Sequence, residues 1–197
     1  MIIETILRIL LLGFLCSLLL ACGSDKTALN LYSSDISDAG LKNEYRLTDH
    51  HGVKRTAADF AGKVVVLTFG YTFCPDVCPT TLSDLSHAVK ALGPLAEKVQ
   101  IIFVTVDPER DTQLVLSQYV PAFSPSFLGL YGTPEQTVEV AKNFKAFYAK
   151  QQRPDGGVYS VDHSAGSYVI DQAGKIRFFI KYGEKPDHIT QDLKQLL

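Results

Sequence analysis

Two cysteines stand four residues apart in Phe73-Cys74-Pro75-Asp76-Val77-Cys78-Pro79, where a β-branched run ends and an apolar helical stripe begins. A spacing of four puts both sulfurs on one side of a single turn. Free amides and the dipole at a helix start favour anions, so a thiol here is expected to ionise readily. The junction also argues for an accessible pair rather than a buried one. As a structural staple the pair is poor, because the loop it would close is tiny. Two chemistries stay open: a redox disulfide, and the grip of one soft metal ion.

For a metal, two sulfurs are too few. A structural zinc site needs four protein ligands, and no second cysteine pair exists in the domain. Histidine is the natural next ligand, and the chain has five. His50 and His51 fall in an expected turn and read as solvated. His87 lies off the helical stripe, and His188 opens the last helix as a capping or exposed residue. His163 differs, sitting in Ser160-Val161-Asp162-His163-Ser164-Ala165-Gly166 just before an expected central strand. In a thioredoxin-type sheet the loop entering that strand faces the cysteine segment. Asp107, in the run Asp107-Pro108-Glu109-Arg110-Asp111, follows the second buried strand. It is a candidate to support the ligands or to dock a partner, and equally a loop or capping acid.

The elements that must position these groups follow from periodicity. Lys63 to Phe69 is a continuous β-branched run of the kind buried on both sheet faces, and Val99 to Val106 reads as a second buried strand. Leu82, Leu85, Val89 and Leu92 recur as one stripe of a helix between them. Tyr45–Thr48 and Val53–Thr56 flank a glycine turn and read as a hairpin. A short helix is expected over 112–120 and a short strand over 127–130. Thr133-Pro134-Glu135-Gln136 opens a helix expected to end near Lys150. Ser167–Ile170 and Ile176–Ile180 form a second hairpin, and Pro186–Leu197 a closing helix. Strands alternating with helices give an α/β fold of three layers with parallel crossovers.

Composition bounds the rest. A net charge of −2 without basic runs argues against nucleic-acid binding, and 46% hydrophobic with 20% charged residues argues against disorder. Ile9 to Ala21 is uncharged and apolar but too short to span a bilayer, so residues 1–21 read as a signal peptide. It ends in Leu19-Leu20-Ala21-Cys22, which is similar to the bacterial lipoprotein box, making Cys22 the expected diacylated N-terminus. Two acyl chains anchor stably where one does not. Residues 22–40, rich in Ser and Asp, then read as a tether reaching about 20–25 Å, and 41–197 as the folded domain.

Three segments taken together, GKVVVLTFGYTFCPDVCPTTLSDL, VTVDPERDT and DHSAGSYVIDQAGKI, resemble the Sco/SenC family of copper-binding proteins. The match runs in order over about residues 41–197. It implies a thioredoxin-like α/β/α sandwich with a central mixed sheet and an extra N-terminal β-hairpin. It further implies one copper ion held by residues matching Cys74, Cys78 and His163. The implied role is assembly of the dinuclear copper site of cytochrome c oxidase, by copper delivery or by thiol reduction. Implied partners are the copper-site subunit of the oxidase and other copper chaperones or thiol reductants. The implied location is the periplasmic side of the bacterial envelope, with the inner membrane favoured. Two thiolates and one imidazole suit Cu(I), and with an added oxygen ligand a tetragonal Cu(II). The one methionine, Met1, leaves with the signal, so no thioether ligand is expected.

The nearest rival is a thiol–disulfide oxidoreductase or redox sensor using Cys74 and Cys78. Against it, the gap holds three residues rather than two, and Ala165 stands where thioredoxin relatives carry a substrate-binding proline. A peroxiredoxin-type peroxidase needs Thr three residues before its cysteine, where Tyr71 and Pro75 stand. An adaptor docking through Tyr71, Phe73, Tyr131 and Tyr159 is the remaining class.

Overall fold

The computed structural model describes residues 29–152 and 156–197. The expected signal peptide, Cys22 and the first part of the tether lie outside the described residues. In chain order the strands are β1 (Ser34–Asp35), β2 (Arg46–Asp49), β3 (Lys54–Thr56), β4 (Val64–Gly70) and β5 (Val99–Thr105). They continue with β6 (Leu128–Tyr131), β7 (Tyr148–Gln151), β8 (Ser160–His163), β9 (Gly166–Ile170) and β10 (Ile176–Lys181). The helices are α1 (Val77–Ala91), α2 (Gln113–Tyr119), α3 (Pro134–Phe144) and α4 (Pro186–Lys194).

The two β-branched runs form the centre of the sheet. β4 and β5 are buried at every position and pair in parallel, with Val64 opposite Val99 and Gly70 opposite Thr105. A run without alternation suits strands covered on both faces, since neither face meets water. The order is β1-β10-β9-β4-β5-β6-β2-β3, mixed because β9, β10 and the N-terminal hairpin run antiparallel to their neighbours. On one face Val140 and Phe144 of α3 pack with Val65, Leu67, Phe69, Ile102 and Val104. On the other, α1 packs against α4, and Tyr119 of α2 lies against Phe103. This is the expected three-layer sandwich, with the extra hairpin β2–β3 joined to the sheet through β6.

Four expectations need correction. The helix begun by the Thr133 capping box ends at Phe144, not near Lys150. Lys145 takes a left-handed conformation (φ 51) and its N–H satisfies the carbonyls of Ala141 and Lys142, which stops the helix. The chain then enters β7, which pairs antiparallel with β8, bringing Tyr148 opposite His163. Within the expected tether, β1 pairs with β10, and the buried carboxylate of Asp192 accepts the N–H groups of Tyr32 and Ser33 at 3.0 and 2.8 Å. The described end of that segment is therefore fixed to the domain rather than free chain. His50 is not solvated: it is 3% exposed, and its Nδ1 accepts the Gly129 N–H at 2.9 Å. His188 likewise is half-buried, with its Nδ1 2.7 Å from Glu184 Oε1 and its ring stacked on Tyr32.

Candidate metal centre

The site grows from the end of β4. Gly70 closes that strand, and a Cβ built there would meet Cys78 Sγ at 2.8 Å and Phe103 Cε2 at 2.6 Å. Only a residue without a side chain lets α1 approach so closely. Thr72, next but one, is held by the buried Asp111. That carboxylate accepts the Thr72 N–H at 3.0 Å, the Thr72 hydroxyl at 2.6 Å and the Thr105 hydroxyl at 2.6 Å. The loop bearing Cys74 is thereby tied to the loop after β5. Helix α1 starts at Val77, so Cys78 sits in its first turn, and its backbone N–H reaches Cys74 Sγ at 3.4 Å.

His163 arrives from the far end of the chain, as the last residue of β8. Its Nδ1 lies 2.9 Å from the Val161 carbonyl. A carbonyl can only accept, so Nδ1 carries the proton and Nε2 keeps a free lone pair. That lone pair faces the cysteines: Nε2 lies 3.3 Å from Cys78 Sγ. The edge of the buried Tyr71 ring meets the imidazole at a centroid distance of 5.7 Å and fixes its plane. The ligand atoms of Cys74, Cys78 and His163 all lie within 4.8 Å of one another. A first-row ion sits about 2.0–2.3 Å from nitrogen or sulfur, which allows ligand atoms about 4–4.6 Å apart. The three groups are already spaced for a single ion, and their donor set is the soft, thiolate-rich kind that selects copper or zinc.

Electrostatics departs from the expectation of an exposed, acidified thiol pair. Both cysteines are free thiols, but Cys78 is 4% exposed and only Cys74 is partly open. Burial pushes the Cys78 thiol well above the usual range, with the neighbouring Cys74 adding to it. Cys78 therefore holds its proton at neutral pH until something displaces it. Burial also raises the Asp111 carboxyl against the pull of its three hydrogen bonds.

Asp107 is placed where it cannot dock a partner, being fully buried. It forms an ion pair with Arg110 and accepts the Tyr159 hydroxyl at 2.8 Å. Arg110 in turn lies over Tyr159, Phe73 and Tyr71, with 3.7, 4.9 and 5.6 Å to the ring centroids. Asp107 is thus linked through Arg110 to Tyr71, the ring that meets His163. Tyr131, the fourth aromatic, bonds Gln113 instead, outside this group.

The family profile described as SCO1/SenC matches residues 34–197. The chain belongs to the SCO1/SenC family. Its thioredoxin-like fold is shared with solved members. ScoI of Bradyrhizobium japonicum, solved with copper bound, is 36% identical, with a TM-score of 0.74 over 80% of this chain and 99% of its own. Apo Sco1 of Thermus thermophilus is 40% identical, with a TM-score of 0.75 over 87% of this chain and 99% of its own. The mitochondrial SCO2 homolog of Bos taurus is 36% identical over 156 residues, which is 78% of this chain but 59% of that relative. The SCO1/SenC match takes in every strand and helix given above.

Sequence reasoning found all three converging side chains and missed their supports. Gly70 carries a readable signal, a glycine closing an otherwise β-branched strand. Asp111 and the Val161 carbonyl carry none, since an acid in a loop and a main-chain oxygen look like any others.

Proposed function

We propose that this chain is a copper chaperone that binds one copper ion through Cys74 Sγ, Cys78 Sγ and His163 Nε2. In this reading it assists assembly of the dinuclear copper site of cytochrome c oxidase, by delivering copper or by reducing the cysteines that receive it. It works on the periplasmic side of the bacterial envelope, held to the inner membrane through lipid on Cys22. Among the described residues no helix is long and apolar enough to cross a membrane. The lipoprotein box supplies the anchor in its place.

The observation that carries the reading is the convergence of two sulfurs and an imidazole nitrogen within 4.8 Å, with the tautomer set so that Nε2 is the donor. Copper-bound relatives of the same fold, such as the ScoI of Bradyrhizobium japonicum, support copper over zinc. The chain's own chemistry does the rest. Two thiolates favour Cu(I), the buried Cys78 shields the ion from water, and the half-open Cys74 offers a route for exchange. Thiol reduction is the second act consistent with the site, because Cys74 is reachable and its sulfur already accepts the Cys78 N–H.

The test is a competition titration of the reduced full chain against a Cu(I) chelator. One equivalent should be withheld from the chelator, and Cys74→Ser or Cys78→Ser should surrender it. Equal retention by wild type and both serine variants would overturn the assignment.

A further inference from the structure

Beside the metal centre lies a cleft of about 450 Å³ lined by Tyr71, Phe73, Pro75, Arg110, Val158 and Tyr159, with Ser160 at its end. Its walls belong to the two segments that bear the candidate ligands and to Arg110, in the loop after β5. Phe73 and Pro75 bracket Cys74, while Ser160 opens the strand that ends at His163. An occupant of the cleft therefore lies against both ligand-bearing segments.

The lining has one ionised group, Arg110, and that group is incompletely used. Its Nε is paired with Asp107 and its Nη1 donates to the Tyr159 carbonyl at 2.9 Å. Nη2 is covered from water and has no hydrogen-bond partner among the described residues. A buried donor left without an acceptor is unfavourable, the more so when it is charged. Three aromatic rings flank this guanidinium, and they differ in freedom. Tyr71 is 4% exposed and Tyr159 is pinned to Asp107, whereas Phe73 is 55% exposed. Phe73 is the ring that can swing aside to admit an acceptor. The rim is apolar as well, since Val158 is 70% exposed. Large apolar side chains left open around a single unsatisfied cation fit a ligand with an apolar body and an anionic end.

We propose that this cleft docks the polypeptide that exchanges metal with the centre, through a segment that sets a carboxylate on the free edge of Arg110 and an apolar side chain against Phe73 and Val158. This rests on the copper-chaperone reading for what is exchanged, not for the binding itself. Docking there moves Phe73, the neighbour of Cys74, so partner capture and access to the partly open sulfur become one event. An amide binds more weakly, because its neutral carbonyl offers one uncharged acceptor where the carboxylate offers two charged ones, and a cation is repelled.

The test uses the reduced, metal-free full chain labelled with ¹⁵N, and two probes with the same ring: N-acetyl-L-phenylalanine and its primary amide. The acid should give saturable shifts at the amides of Phe73, Val158 and Ser160 and at Arg110 Nε, at least about tenfold tighter than the amide. Arg110→Gln should abolish the preference for the acid. Phe73→Ala, at an exposed position, should weaken the acid in a chain that folds normally, which keeps the test decisive if Arg110→Gln fails to fold. Equal binding of acid and amide, shifts confined to other surfaces, or no saturable shift would overturn the proposal. A copper titration of the same sample reports separately on the metal centre, so the two readings fail independently.

Discussion

The Val161 carbonyl and His163 Nδ1, 2.9 Å apart on the same strand, decide which nitrogen of the imidazole meets the cysteines. With the proton held at Nδ1, Nε2 stands as a lone-pair donor 3.3 Å from Cys78 Sγ. An outer hydrogen bond of this kind orients a ligating histidine and fixes its tautomer. The main chain of β8 thus prepares the ligand before any ion arrives, at no expense in side chains.

Gly70 sets how near α1 can come to the sheet. In Gly70→Ala the new Cβ would press on Cys78 Sγ at 2.8 Å and on Phe103 at 2.6 Å, and both are packed too tightly to yield. Overpacking of this kind destabilises by about 1–3 kcal/mol. Urea unfolding of metal-free Gly70→Ala should show that loss, and a chelator competition should show weakened copper retention. Wild-type values in both would mean the close approach has no consequence.

Asp111 ties the cysteine loop to β5. Asp111→Ala would leave the Thr72 N–H and two threonine hydroxyls without their acceptor, a loss of about 2–3 kcal/mol at a buried site. Hydrogen exchange at the Thr72 amide should accelerate by more than at the centre of β4. An unchanged Thr72 amide would show that the clamp does not hold the loop.

How much of this was legible in the residues differs by element. β4 and β5 announced themselves because their residues are mostly β-branched or large and apolar, interrupted only by Thr68, Gln100 and Thr105, which are buried with them. The end of α3 did not, since Lys145 adopts the left-handed cap usually taken by glycine. β7 was hidden for a related reason: Tyr148-Ala149-Lys150-Gln151 is only half-buried, and its partner β8 lies across a loop, so pairing rather than composition makes it a strand. Cys74, Cys78 and His163 could be picked out by side-chain type. The burial of Cys78 could not, because it lies against the end of β4 and against His163 of β8, the latter 85 residues away in sequence.

Protons should accompany the metal. Burial keeps the Cys78 thiol protonated at neutral pH, while a metal ligand must be the thiolate, so binding expels that proton. Calorimetry of copper binding near pH 7.5, in buffers of differing ionisation enthalpy, should give at least one proton released per copper. Affinity should fall about tenfold for each pH unit lost through that proton. No buffer dependence would mean that Cys78 binds as the thiol or not at all.

His50 gives a separate pH dependence of stability. Burial lowers its pKa below the ordinary value, helped by the charge of His51. The unfolded chain therefore takes up the proton first, so His50 contributes fully above the unfolded value of about 6.5 and loses that contribution as pH falls toward the lowered folded value. Urea midpoints between pH 7.5 and 5 should decline more steeply for wild type than for His50→Gln, which can still accept the Gly129 N–H. Parallel declines would assign the acid sensitivity elsewhere.

The most direct measurement is the absorption spectrum and stoichiometry of Cu(II) bound to the full chain, compared with His163→Ala. Wild type should bind one equivalent and show a sulfur-to-copper charge-transfer band, and the variant should lose the band and most of the affinity. Identical spectra and affinities for the two proteins would contradict the three-ligand centre.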